Sequence, residues 1–313
     1  MKIMAPLYGT LSTKYRVDVL ALTSARQYFK DLSIPALGFN SFDFLHTDTI
    51  SAYGNMLVSN MNLAEGVTKS ESIIYLGASF NDLVLEMGSL DLAFKKYEKE
   101  GRSSFLPVPT LSKIIINLSA DLVITTNAPR SEKAALLAAR QLDIPSLCIN
   151  DNLWVSGGVE DLARNNLVDH ICVLSDRVKD RILGVSNFSP EKIHVTGTPV
   201  FDSIKKLKND RVLNDIPTVL YADCDIPDTH ANYPGITNKN QGLDLQVRVK
   251  LNELASLGLL NVILRPHPSQ NYDYSDFAYC KVSHPSESLH SILTSVDLVI
   301  TAISTVGIEG KVL

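Results

Sequence analysis

The feature that most limits the fold of this chain is an alternation repeated along most of its length. Short apolar runs rich in Val, Ile and Leu are separated by longer amphipathic segments. Such runs are too short for helices and carry no in-and-out polarity. They read as strands buried on both faces, which is how parallel strands read. Parallel neighbours cannot be joined by a tight turn, so each pair needs a crossover, usually a helix. The pattern therefore predicts an α/β chain. Its clearest unit is the stretch SADLVITTNAPRSEKAALLAARQLDIPSLCIND, residues 119–151. There a strand ends at Thr125 and a polar loop follows. Ser131 or a neighbour caps an Ala- and Leu-rich helix, and Ile144-Pro145 leads into the next strand.

In the first half, strands are expected at 2–5, 17–22, 34–39, 72–76, 121–125, 146–150, 170–174 and 192–196. Helices are expected at 24–32, 81–100, 111–118 and 132–141. A polar, charged stretch at 205–216 reads as a domain linker. Beyond it strands are expected at 218–222, 261–265, 279–282 and 297–301, with helices at 246–257 and 287–294 and an exposed polar loop over 225–242. This gives two domains, 1–205 and 206–313. The link 6–16 is too short to hold a crossover helix. Either the first strand does not pair beside the second, or a helix is missing there. The second half holds fewer strands than the first, and its last strand is followed by only the first turns of a helix. That imbalance predicts a chain that stops before its second domain is complete.

Bulk composition narrows the function. The 313 residues are 45% apolar and 20% charged, which suits two globular domains. A net charge of −5 argues against non-specific nucleic-acid binding as the main role. Cys148, Cys172, Cys224 and Cys280 lie far apart, so neither zinc nor a disulfide framework is expected. No secretory signal and no run of membrane-spanning length is seen, which predicts a cytoplasmic protein, with peripheral membrane contact left open. No G-x-S-x-G elbow is present, which argues against a serine hydrolase of that kind. Asp223 and Asp225 flank Cys224, with His230 beyond, at a spacing poor for zinc. Asp223 reads better as a residue at a strand end.

Two segments carry the chemistry. In SVDLVITAISTVGIEG a strand runs into a small-residue turn and a helix start, where free backbone N–H groups and hydroxyls can hold an anion. Ser304 and Thr305 supply the hydroxyls, Gly307 allows close approach, and Glu309 follows one turn later. The plain alternative is a Ser/Thr helix cap. In NVILRPHPSQ a buried strand ends in Arg265 and His267, stiffened by Pro266 and Pro268. Both side chains can donate to phosphate oxygens. In the first half, Asp151 and Glu132 are candidate general bases and Arg130 a candidate anion contact. Helix capping and an Asx turn are the structural alternatives. Trp154 reads better as packing than as a platform.

With these motifs in order, the chain resembles glycosyltransferase-B enzymes and UDP-N-acetylglucosamine 2-epimerases. EKIHVTGTPVFDSI is similar to the last strand and linker of their first domain. The RPHP turn resembles the His-Pro turn of bacterial glycosyltransferases and the phosphate-binding His turn of the epimerases. DLVITAISTVGIEG is similar to their diphosphate- and ribose-binding helix. The resemblance spans roughly residues 66–313. It implies two Rossmann-like domains, the first on the acceptor side and the second binding the nucleotide sugar. It implies His267 as a phosphate contact, Ser304 and Thr305 as diphosphate contacts, Glu309 as the ribose contact and Arg265 as an extension of the set. It also implies a loop at Tyr8-Gly9-Thr10 facing the donor phosphates. The expected activity is glycosyl transfer from a nucleotide-diphosphate or nucleotide-monophosphate sugar to a glycan or lipid-linked acceptor. Bacterial surface polysaccharide or glycoconjugate synthesis is the expected setting, with no metal and no cofactor. A UDP-N-acetylglucosamine 2-epimerase is the first alternative, though its EAG-type segment is replaced here by Ile149-Asn150-Asp151. A non-catalytic nucleotide-sugar-binding fragment is the second.

Overall fold

The computed structural model describes residues 3–59, 61, 67–127, 129–150, 158–205, 214–223, 242–267, 273–284, 287–302 and 304–312. The chain divides into two compact units, Met1–Pro199 and Val200–Leu313. Of the expected linker, residues 206–213 lie outside the described residues.

The first unit opens with helices α1 (Met4–Leu11) and α2 (Ser24–Asp31). The strand expected at 2–5 is not there: residues 4 and 5 begin α1, with Ala5 buried. Pro6 stands in the first turn of α1, where a missing N–H breaks no helical bond. The loop expected at Tyr8-Gly9-Thr10 is likewise helical. Among the described residues the link 6–16 therefore joins a helix, not a strand, to the segment at 17–22. The first extended segment is 17–22, and α2 is its crossover. The expected strands at 17–22 and 34–39 meet in a single parallel bridge, Leu20 to Leu37. Around it Ala21 N–H donates to the Leu37 carbonyl and Leu37 N–H to that of Val19, both at 2.8 Å.

Four helices follow: α3 (Asp48–Val58), α4 (Lys69–Met87), α5 (Leu90–Glu100) and α6 (Val108–Leu118). The strand expected at 72–76 lies inside α4. Its apolar run is short enough to suit either structure, and the Thr68 hydroxyl settles it by accepting from Glu71 N–H at the helix start. The single helix expected at 81–100 is broken. Gly88 takes the left-handed conformation (φ 65°) and Ser89 caps α5. The backbones of α3 and α4 nearly touch. A Cβ at Gly54 would lie 2.0 Å from the Ile73 carbonyl oxygen, and one at Gly77 2.0 Å from that of Ile50. Phe39, Phe80, Phe105, Leu111 and Ile114 pack around this crossing. Asp82, buried on α4, accepts from Thr110 N–H at 2.9 Å and so secures the first turn of α6. Burial pushes its carboxyl pKa up, against that hydrogen bond.

The unit closes with β1 (Val123–Thr125), α7 (Ser131–Gln141), β2 (Ser146–Ile149), α8 (Gly158–Arg164), β3 (His170–Val173), α9 (Asp176–Val185) and β4 (Ile193–Val195). The four strands pair in sequence order, all parallel. Right-handed crossovers that always step the same way put their helices on the same face. Accordingly Leu136 of α7, Leu162 of α8 and Ile182 of α9 share one core with Cys148, Ile171 and Val173.

Helix α10 (Pro199–Lys205) begins at the last residue of the first unit, and the second unit contains the rest of it with β5 (Thr218–Ala222), α11 (Leu243–Ser256), β6 (Asn261–Arg265), β7 (Lys281–Val282), α12 (Leu289–Leu293), β8 (Leu298–Thr301) and α13 (Val306–Val312). Its sheet runs β7-β6-β5-β8, again wholly parallel. Alternate residues of β5 face opposite layers. Val219 and Tyr221 pack with Leu251 of α11, while Leu220 packs with Ile292 and Leu293 of α12. The path steps from β5 to β6 and β7, then returns to place β8 on the other side of β5. Between β5 and β8 lies a topological switch point, where open α/β sheets bind ligands at the carboxyl edge. Among the described residues no helix is long and apolar enough to cross a membrane.

Gly77→Ala is expected to destabilise the chain by about 2 kcal/mol or more, because a methyl group there must push two helix backbones apart. Urea unfolding reads this directly, and an unchanged midpoint would contradict the α3–α4 contact.

Candidate functional site

The carboxyl edge of the β7-β6-β5-β8 sheet collects the polar residues of the second unit. Asp223 immediately follows β5, and its backbone N–H donates to the Arg265 carbonyl at 2.9 Å. Its side chain is fully buried. One oxygen, Oδ2, accepts from Arg248 of α11 at 2.5 Å and from the Tyr274 hydroxyl at 3.0 Å. Arg248 also donates to Asp244 at 3.0 Å and lies over the rings of Tyr274 and Phe277. Burial works against the Arg248 charge, but the hydrogen bond and charge of Asp223, with Asp244, hold its pKa above the ordinary guanidinium value. The other oxygen of Asp223, Oδ1, is buried without a hydrogen-bond partner among the described residues. The sequence reading placed Asp223 at a strand end. It missed Arg248 and Tyr274, because nothing in their local pattern marks a partner 25 or 51 residues away.

Arg265 closes β6. Its Nη1 donates to the Ser283 hydroxyl at 2.6 Å and to the His284 carbonyl at 2.8 Å. Part of its fork is thus turned along the sheet edge, toward the end of β7. His267, two residues on, is exposed. Beyond β8, the Ser304 hydroxyl accepts from Val306 N–H at 3.3 Å, a cap on α13, and Thr305 is exposed. A Cβ on Gly307 would lie 2.8 Å from the Thr301 methyl, so glycine lets α13 start close against the end of β8. Glu309 points inward from α13, with its side chain 11% exposed, and Oε2 lies 3.1 Å from His290 Nε2 on α12. β6 and β8 each pair with β5, so their ends stand two strand spacings apart, about 10 Å.

In the first unit, the ends of β1 and β2 hold a second polar group. Thr126 donates to Glu132 Oε2 at 2.6 Å, and Asn127 Nδ2 donates to Asn150 Oδ1 at 3.0 Å. Asn150 is buried. Arg130, not Ser131, occupies the cap position of α7, and its side chain makes no cap bond. Asp151 and Trp154 lie outside the described residues, as do Asp225 and His230. A third group was not foreseen. Glu71 accepts from Thr23 N–H at 3.0 Å, and Arg26 Nη1 lies 2.7 Å from Asn40 Oδ1 and 3.4 Å from Glu71 Oε2. Thr23 holds a positive φ of 56°, unusual for a β-branched residue. Taking 17–22 as the first strand would have exposed this group, since Thr23 and Arg26 open the helix that follows it. Among the described residues no set of three or more His, Cys, Asp or Glu side chains is placed to hold a metal ion.

These features define the class: two Rossmann-like units with parallel sheets and polar residues at their carboxyl edges, the glycosyltransferase-B type of fold. Solved structures agree. The UDP-GlcNAc 2-epimerase from Methanocaldococcus jannaschii matches with a TM-score of 0.57 and 12% identity, over 99% of this chain and 78% of that one. The UDP-GlcNAc 2-epimerase from Neisseria meningitidis, solved bound to UDP-GlcNAc, matches with a TM-score of 0.55 and 14% identity, over 95% and 73%. At such identities the likeness is one of fold. No family model and no curated protein matches the chain by sequence.

Arg248→Met should destabilise the chain by about 3–5 kcal/mol, since it takes from buried Asp223 and Asp244 the cation they share among the described residues. Denaturant unfolding measures it. A loss below about 1 kcal/mol would show that the network is solvated rather than buried.

Proposed function

We propose that this chain binds a nucleotide-diphosphate sugar at the carboxyl edge of its second sheet and transfers the sugar to an acceptor. The supporting observation is the placement of His267 and Glu309 beyond two strands that flank β5. A nucleoside diphosphate is long enough to span the distance between those strand ends. His267 donates to a phosphate oxygen, Ser304 and Thr305 bind the diphosphate, Glu309 accepts from the ribose, and Arg265 adds positive charge beside them. Stabilising the departing diphosphate is the main electrostatic contribution of such a set.

The first unit takes the acceptor. Glu132, held by Thr126, is a candidate general base, and Asp151 is another; Arg130 binds an anionic group of the acceptor. A glycan or lipid-linked acceptor of surface-polysaccharide synthesis fits this reading. The second reading is 2-epimerisation of UDP-N-acetylglucosamine, favoured by the fold of the two epimerases above. Against it stands Asn150, a buried amide bonded to Asn127 in the segment where epimerases carry EAG.

Thermal shift with UDP, GDP and CMP tests binding. A ligand at 100 times its Kd adds about 2.7 kcal/mol to the native state. One of the three is expected to raise the melting temperature, and His267→Ala should weaken that ligand about 10- to 100-fold, the loss of a hydrogen bond to a charged group. No shift with any nucleotide, or unchanged affinity in the variant, would reject the site. Release of free N-acetylmannosamine from UDP-N-acetylglucosamine would make the chain an epimerase instead.

A further inference from the structure

The contact between His290 and Glu309 joins two short helices that pack on the same face of the sheet. Val306 of α13 and Leu289, Ile292 and Leu293 of α12 share one apolar cluster with Leu220 and Val299. Within that contact the His290 and Glu309 side chains are 25% and 11% exposed. An ionised carboxylate only accepts, so the hydrogen on this bond is carried by His290 Nε2. The bond occupies Glu309 Oε2. Among the described residues Oε1 makes no hydrogen bond, and it is not among the fully buried unpartnered atoms. One oxygen is therefore anchored by the protein while the other keeps its acceptor capacity.

We propose that His290 is a positioning residue that fixes the Glu309 carboxylate for a ribose hydroxyl and so sets preference for ribo- over deoxyribonucleotides. The inference rests on the reading of Glu309 as the ribose contact. A free glutamate side chain has three rotatable bonds and gives up that freedom when it binds a ligand. His290 removes the freedom beforehand, and preorganisation of this kind strengthens binding without adding a ligand contact. It acts only on the interaction that Glu309 makes. A nucleotide lacking the hydroxyl gains nothing from it.

The test is calorimetric titration of UDP and 2′-deoxy-UDP into the wild-type chain and into His290→Ala and His290→Gln. The wild type is expected to bind UDP at least about 10-fold more tightly than 2′-deoxy-UDP, the worth of one hydrogen bond to a charged group. His290→Ala should bring the two affinities together by weakening UDP alone. His290→Gln, whose amide nitrogen can replace Nε2–H, should restore most of the preference. Equal weakening of both nucleotides in His290→Ala, or a preference that survives the substitution, would overturn the proposal while leaving the nucleotide site standing. A wild-type chain that binds neither nucleotide, nor any diphosphate in the thermal screen, would remove the nucleotide reading and this inference together.

Discussion

Parallel pairing of β5 with both β6 and β8 is the constraint on which the second unit depends. Parallel strands all end on one edge, so a single pairing pattern decides which side chains become neighbours. It places Asp223 beside Arg265, and the turn after β8 on the other flank of Asp223. The crossover helices then cover opposite faces, α11 on one and α12 on the other. Arg248 reaches from α11 to the end of β5, so helix and strand are joined by charge as well as by apolar packing. Removing either carboxylate partner or the guanidinium would leave charge stranded in a dry layer, which is why these three residues act as one group.

Most of this unit was legible in the sequence. The run at 261–265 coincides with β6 and the run at 218–222 with β5, because both are short, apolar and bounded by breakers. In the first unit the strands at 121–125, 146–150, 170–174 and 192–196 were found for the same reason, with ends shifted by a residue or two. The failures have a common cause. At 72–76 and 2–5, a short apolar run suits a strand or one side of a helix equally well, and the capping chemistry around it decides. Thr68-Lys69-Ser70-Glu71 was a readable cap signal, and so was Gly88-Ser89 as a break.

Candidate site residues stand out where local sequence carries a chemical pattern. His267 between two prolines and Glu309 one turn past a Ser-Thr pair are features of this kind. The polar groups that candidate side chains meet are not marked in this way. His290 lies 19 residues from Glu309, and Tyr274 lies 51 from Asp223. Only the sheet order brings them together. The same holds for Glu71, whose carboxylate ends up against Thr23 and Arg26. Helix periodicity explains where such a side chain faces, but not which polar group it meets.

The fold is shared with enzymes that act on nucleotide sugars, and folds of this kind host several chemistries. The chemistry of this chain rests on its own side chains, among them those at two sheet edges. The most direct measurement of the central claim is a crystal structure of the chain with UDP. Diphosphate oxygens are expected within hydrogen-bond distance of His267 and of the turn at Ser304–Thr305, with the ribose 2′-hydroxyl on Glu309. UDP bound elsewhere, with these residues out of reach of it, would contradict the account.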